Sequence, residues 1–178
     1  YSKSLGEYFS TEFARLDGRI ETLNFNSGQK NFESLINQLS TSGYDAVFMP
    51  SSCSSGAIFI NQARTAGYHK PIIGSDTWDD QTLFSKATAS YGEIYLPSAF
   101  NPEGSAESVS ASFAAKFSSW VQLSSDRLEK NGGSAYTPPV AALAYDAYMM
   151  LCDAIEKADS FVPDNITDQL KTTNYTGV

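Results

Sequence analysis

Apolar side chains recur along the chain in two rhythms. Leu5, Tyr8, Phe9, Phe13 and Leu16 fall at helical spacing and predict a helix over 2–16 carrying a single apolar stripe. Asp17-Gly18 ends it, glycine accepting the positive φ common just past a helix end. Ile20, Leu23 and Phe25, with polar residues between them, alternate imperfectly and predict a strand over 20–25. Phe32, Leu35, Ile36 and Leu39 place a second helix over 31–42, stopped by Gly43. The run Ala46-Val47-Phe48-Met49 then reads as a strand buried on both faces.

The unit repeats. Ile58, Phe59, Ile60 and Ala63 mark a helix over 54–66 broken by Gly67, and Pro71-Ile72-Ile73-Gly74 is another short buried strand. Leu83-Phe84 sits in a brief helix and Ile94-Tyr95-Leu96 in a further strand. Short apolar strands alternating with helices predict an α/β lobe with a doubly wound parallel sheet. After Pro97 the strands stop. Residues 103–123 read as one helix with Val109, Phe113, Phe117, Trp120 and Val121 as its buried stripe, followed by a break at Asn131-Gly132-Gly133-Ser134. Pro138-Pro139 opens a long helix to Ala158 whose inner face is Leu143, Ala147, Met150, Leu151 and Ala154, and Pro163 starts a third helix through Lys171. Three amphipathic helices without strands need a sheet from elsewhere to pack on. Two regions are therefore expected, 1–97 and 98–178.

Composition narrows the function classes. The 178 residues are 42% hydrophobic and 18% charged, enough apolar content for one substantial core or two small ones. Net charge is −8, divided as −3 over 1–97 and −5 over 98–178, so neither region offers the basic face a nucleic acid would need. No apolar run reaches the roughly eighteen residues of a membrane span. The chain opens on Tyr1-Ser2-Lys3 without an initiator Met and closes on Asn174-Tyr175-Thr176-Gly177-Val178, and is expected to be an excised piece of a longer protein. Cys53 and Cys152 leave a disulfide open. Asn165-Ile166-Thr167 and Asn174-Tyr175-Thr176 fit the glycosylation pattern, which is short enough to arise by chance.

Four stretches, in order, carry a resemblance. They are Tyr1-Ser2-Lys3-Ser4-Leu5-Gly6; Tyr44-Asp45-Ala46-Val47-Phe48 with Asn61-Gln62-Ala63-Arg64-Thr65-Ala66-Gly67; Pro71-Ile72-Ile73-Gly74-Ser75-Asp76-Thr77-Trp78-Asp79; and Ala141-Ala142-Leu143-Ala144-Tyr145-Asp146-Ala147-Tyr148. Together the sequence resembles the type I periplasmic-binding fold, in particular the branched-chain amino-acid receptors that serve ABC transporters. The resemblance implies a two-lobed protein considerably longer than this chain. Residues 1–97 would be most of the second, ligand-binding lobe; 98–178 would be a crossover strand at 97–100 and helices of the first lobe.

Doubly wound sheets bind ligands at the carboxyl ends of their strands. Past Met49 runs the hydroxyl-rich loop Pro50-Ser51-Ser52-Cys53-Ser54-Ser55-Gly56 into a helix, a setting that suits a carboxylate or other polar acceptor. Ser54 or Ser55 serves equally well as the helix cap. Ser52 and Cys53 fall where the resembled family often presents an aromatic pair, and Val140 where it has a larger aromatic. By the resemblance Asp76 pairs with a ligand's α-ammonium group through a charge-assisted hydrogen bond, the alternative being a turn or cap aspartate. Trp78 supplies an apolar or cation-facing wall, or packs in the core. Tyr1 matches the family's ligand-touching aromatic. The candidate ligand-binding set is thus Tyr1, Ser51, Ser52, Cys53, Asp76 and Trp78.

Catalysis has little support. His69 lies in the polar link Tyr68-His69-Lys70, and Cys53 lacks an evident partner base. The sequence calls for no metal, no cofactor and no phosphate-binding glycine loop. The expectation is an extracytoplasmic solute-binding subunit of an ABC importer, taking an amino acid or similar small polar ligand and docking on a membrane permease. The alternative is a ligand-sensing domain of a receptor or transcriptional regulator built on the same fold.

Overall fold

A computed structural model describes residues 1–87, 92–102 and 108–178. The chain divides into two compact units, Tyr1–Ser98 and Ala99–Val178.

Unit 1 is α/β. Three parallel strands, β1 (Val47–Met49), β2 (Ile72–Gly74) and β3 (Ile94–Tyr95), lie side by side in chain order, with Met49 opposite Gly74 and Ile72 opposite Ile94. Around them stand α1 (Ser2–Arg15), α2 (Glu33–Thr41), α3 (Cys53–Thr65) and the short α4 (Gln81–Lys86). Successive strand residues point to opposite faces. Met49 is in the core and Val47 against it, with Phe32 and Ile36 of α2 and Ala57, Phe59, Ile60 and Ala63 of α3. Phe48 points the other way and stacks on Phe9 of α1 at 4.2 Å between ring centres. Helices therefore cover both faces, as a parallel sheet requires, but unevenly: α1 buries none of its residues.

The helix ends follow the sequence with one exchange of roles. At the end of α1 the left-handed residue is Asp17, φ 60°, and not Gly18. Gly18 is needed for a different reason: a Cβ there would sit 2.3 Å from the Phe13 ring. Its N–H bonds the Phe13 carbonyl at 3.0 Å while that of Asp17 bonds Ala14, the paired closure common at helix ends. After α3 the same closure places Gly67 at φ 80°.

The expected strand over 20–25 does not form. Ile20, Leu23 and Phe25 are half-buried and Phe25 packs edge-on against Phe32, so the segment is held by side chains without a ladder. Its spacing of three and then two residues does not keep one face inward.

Unit 2 contains no strand among its described residues. Residues 97–100 are irregular, so the expected crossover strand is not present as one; a strand needs a neighbour to pair with. The unit consists of α5 (Val109–Gln122), α6 (Ser125–Lys130), α7 (Pro139–Ala158) and α8 (Pro163–Lys171). Residues 103–107 of the expected first helix lie outside the described residues, and α5 starts after Ser108, whose hydroxyl accepts from the Ala111 N–H at 3.1 Å. Helix α6 was not expected.

The inner faces expected in unit 2 are largely bare. Val109 and Trp120 of α5 and Leu143 and Leu151 of α7 are exposed; Val121, Ala142 and Ala154 are buried. Val140, Leu143, Ala144, Ala147, Tyr148 and Leu151 form an uncovered apolar stripe along the first three turns of α7. No helix among the described residues is long and apolar enough to cross a membrane.

Candidate functional site

The carboxyl ends of β1 and β2 are adjacent, about 4.8 Å apart as neighbouring strands must be. Three residues beyond Met49 comes Ser52; two beyond Gly74 comes Asp76. The sheet's pairing therefore brings together two loops that are more than twenty residues apart in the chain.

The first loop enters α3. Ser52 is its N-cap, in extended conformation, with its Oγ accepting from the Ser55 N–H at 3.3 Å. The cap is thus neither Ser54 nor Ser55. Those two hydroxyls instead cluster on Ser52, at 3.3 Å and 3.1 Å from its Oγ. Ser52 and Ser54 are exposed. The first N–H groups of a helix have no partner inside it and carry its positive dipole end, so this turn presents donors to an anionic or carbonyl oxygen.

The second loop follows β2. Residues Asp76–Trp78 form a single 3₁₀ turn with an exposed Asp76. Tyr1, at the start of α1, donates its phenolic hydrogen to Asp76 Oδ1. That bond favours the neutral phenol, so the Tyr1 pKa is raised above its ordinary 10.0, chiefly by the bond to Asp76. Helix α1 is laid so as to bring Tyr1 there: Phe9 stacks on Phe48, and Gly6 lies against Pro50.

Three other expected ligand contacts stand behind this front. Trp78 is 0% exposed, with its indole between the backbones of β2 and α3. A Cβ on Gly74 would meet the ring at 2.3 Å and one on Gly56 at 2.4 Å, so both positions are small because the tryptophan fills the space between them. Trp78 is therefore core and not a cleft wall. Ser51 is 3% exposed; its hydroxyl donates to the Ser52 carbonyl, and its own carbonyl accepts from Trp78 Nε1 at 3.0 Å and from Thr77 Oγ1 at 2.7 Å. Cys53 is half-buried against the core, and burial together with the Asp80 charge pushes its thiol up to about 11. A thiol so shifted is a poor nucleophile at neutral pH. Both cysteines are free, and His69 is exposed on its loop.

Of the six candidates, the structure joins Tyr1 to Asp76, leaves Ser52 exposed on the adjacent loop, and places Ser51, Cys53 and Trp78 behind them. Sequence reasoning missed Thr77, whose hydroxyl links the two loops; the only available signal was its place beside Asp76.

Comparison with known proteins follows the same lines. Residues 1–178 match the sequence profile of the family described as periplasmic binding protein. A solved leucine-binding protein of Thermotoga maritima is 28% identical, with a TM-score of 0.80 over 99% of this chain and 47% of its own. A branched-chain amino acid transporter substrate-binding protein of Streptococcus pneumoniae, solved with isoleucine, is 24% identical, with a TM-score of 0.68 over 94% and 45% of the two chains. A protein of Rhodospirillum rubrum described as a putative branched-chain amino acid ABC transporter is 20% identical, with a TM-score of 0.70 over 96% and 46%. The latter two speak to the fold alone. The chain spans about half the length of the solved structures it matches. No curated protein matches it in sequence.

Proposed function

The chain belongs to the periplasmic binding protein family, and on that footing we propose that unit 1 is the ligand-holding lobe of a solute receptor serving an ABC importer. The ligand class is a small zwitterion, an amino acid or close relative. One observation carries this reading: an exposed carboxylate and the hydroxyl-rich start of a helix stand side by side at the ends of two adjacent parallel strands. An ammonium group finds its counter-charge on Asp76; a carboxylate finds donors at the first turn of α3 and on Ser52. The Tyr1 hydroxyl, which donates to Asp76, turns toward the ligand or shares the carboxylate with its ammonium group. Tyr1, Ser52 and Asp76 are the direct contacts.

Unit 2 fits the helices of the other lobe, with the bare stripe of α7 as the face on which that lobe's sheet packs. The leucine-binding relative, at about twice this length, supports an amino acid as the cargo. The setting is extracytoplasmic and the partner a membrane permease that reads the loaded receptor. The chemistry is binding, with no bond made or broken.

Calorimetry on the intact receptor, with L-leucine, L-isoleucine and other amino acids as probes, tests this. Replacing Asp76 by Ala weakens binding of the preferred amino acid about 10- to 100-fold, the range of one hydrogen bond to a charged group. Wild-type affinity in Asp76→Ala, or stabilisation only by compounds that lack an amine, overturns the assignment.

A further inference from the structure

The two ligand-facing loops meet behind the site at a single acceptor. The Ser51 carbonyl lies one residue before the N-cap of α3, and both of its donors come from the turn that carries Asp76: Thr77 Oγ1 at 2.7 Å and Trp78 Nε1 at 3.0 Å. A carbonyl oxygen has two lone pairs, so both places are filled. Thr77 is held in turn, its Oγ1 lying 2.8 Å from the buried Ser75 hydroxyl. Trp78 cannot turn away, because its ring fills the gap between Gly56 of the first loop's helix and Gly74 at the end of β2. The Trp78 half of the link is buried, while Thr77, like Ser52 and Asp76, reaches the surface.

We propose that Thr77 and Trp78 are positioning residues that lock the serine loop and the Asp76 turn into one rigid fixture through the Ser51 carbonyl. This rests on the reading of Ser52 and Asp76 as the two ends of a zwitterion site. A zwitterion has a fixed distance between its ammonium and carboxylate, so a site for it gains from a fixed distance between counter-charge and donors. Two independent loops would have to be ordered by each ligand in turn, and that ordering weakens binding. The fixture selects ligands by the separation of their two charged ends and leaves the side chain to other walls.

The test needs no ligand and so fails or succeeds apart from the function proposed above. Amide hydrogen exchange is measured across the chain for wild type, Thr77→Val and Thr77→Ser. Valine keeps the shape and loses the donor; serine keeps the donor. In Thr77→Val the amides of Ser55 and Gly56, which bond Ser52 and lie more than twenty residues from the substitution, exchange about 3- to 10-fold faster, together with those of Trp78 and Asp79. Thr77→Ser restores all four. If only Trp78 and Asp79 respond, Thr77 serves its own turn alone and the coupling is wrong; if none responds, the bond to Ser51 contributes nothing. Should Thr77→Val fail to fold, Trp78→Phe removes the other donor while keeping an apolar ring in place. It is read at the same four amides with the same two refuting outcomes.

Discussion

Gly56 offers a test in which two well-understood effects have opposite signs. It lies in the first turns of α3, a helix of 13 residues, with no unusual backbone angle. Replacing glycine by alanine at an ordinary helical position stabilises by about 1 kcal/mol. Here the new methyl would lie 2.4 Å from Trp78 Cε2, 2.5 Å from Cζ2 and 2.8 Å from Nε1, where carbon atoms rest comfortably at roughly 3.5–4.0 Å. The ring is wholly enclosed and faces Gly74 on its other contact, so it cannot retreat. Overpacking a tight core costs about 1–3 kcal/mol, and with nowhere for the ring to go the upper part of that range applies. Gly56→Ala therefore destabilises unit 1 by a net of about 1–2 kcal/mol, a fall in Tm of roughly 5–10 °C for a unit of this size. In a Trp78→Leu background the obstacle is gone and the sign reverses, alanine becoming the more stable residue by up to about 1 kcal/mol. Urea unfolding measures this. With Trp120 replaced by Phe, the fluorescence of Trp78 reports on unit 1 alone, and circular dichroism follows the pair that carries Trp78→Leu. A higher urea midpoint for Gly56→Ala in the wild-type background would falsify the wedged position of the indole.

Two further outcomes concern groups away from the site's front. Arg64, 7% exposed in the last turn of α3, donates to the carbonyls of Tyr68 at 2.6 Å, Lys70 at 3.0 Å and Glu93 at 3.4 Å. Arg64→Met costs about 2–3 kcal/mol, and Arg64→Lys recovers only part of it because an ammonium lacks the fork that reaches several acceptors; a lysine variant as stable as wild type refutes the clasp. With Cys152 replaced by Ser, labelling of Cys53 by iodoacetamide climbs with a midpoint at about pH 11, and a midpoint near pH 9 contradicts the burial that raises it. The sign for stability follows from the same shift: the contribution of the neutral thiol is complete below about pH 9, where both states keep the proton, and is lost as pH rises from there to about 11.

The elements that sequence reveals here are those whose own residues determine them. Helices α1, α2, α3, α7 and α8 have their stops within one segment, and the short apolar runs at Val47–Met49 and Ile72–Gly74 do form strands, although Val47, Phe48 and Ile73 are half-buried where burial on both faces is expected. What sequence conceals depends on a neighbour. Ile20–Phe25 has strand-like residues but pairs with no strand among the described residues. The stripe of α5 is drawn correctly in sequence, yet Val109 and Trp120 lie uncovered because a stripe shows which face is apolar and not what sits on it. In the site, Asp76 and Ser52 are visible because they follow the ends of buried strands. The displacement of Ser51, Cys53 and Trp78 from the front has one cause: a single step along a turn decides between a side chain that faces solvent and one that faces the core. The partnership of Thr77 and Trp78 with Ser51 spans 26 and 27 positions and has no local trace.

Helix α1 has a cost and a use that follow from how lightly it is attached. It carries one of the three front residues, yet none of its own residues is buried, and Tyr8, Phe13 and Leu16 are exposed along it. The site is consequently built on two foundations of different firmness: the loops beyond β1 and β2 stand on the core, while Tyr1 rides on an element held by a stacked phenylalanine and a glycine contact. Within unit 1, exchange protection should be lower along α1 than along α2 and α3 before ligand is added, and on the proposed reading it should rise along α1 when ligand is held, since local opening is easiest where least is buried. On the proposed reading, part of the binding free energy would go into quieting that helix, and changes in the rigidity of α1 would tune affinity without altering a contact to the ligand.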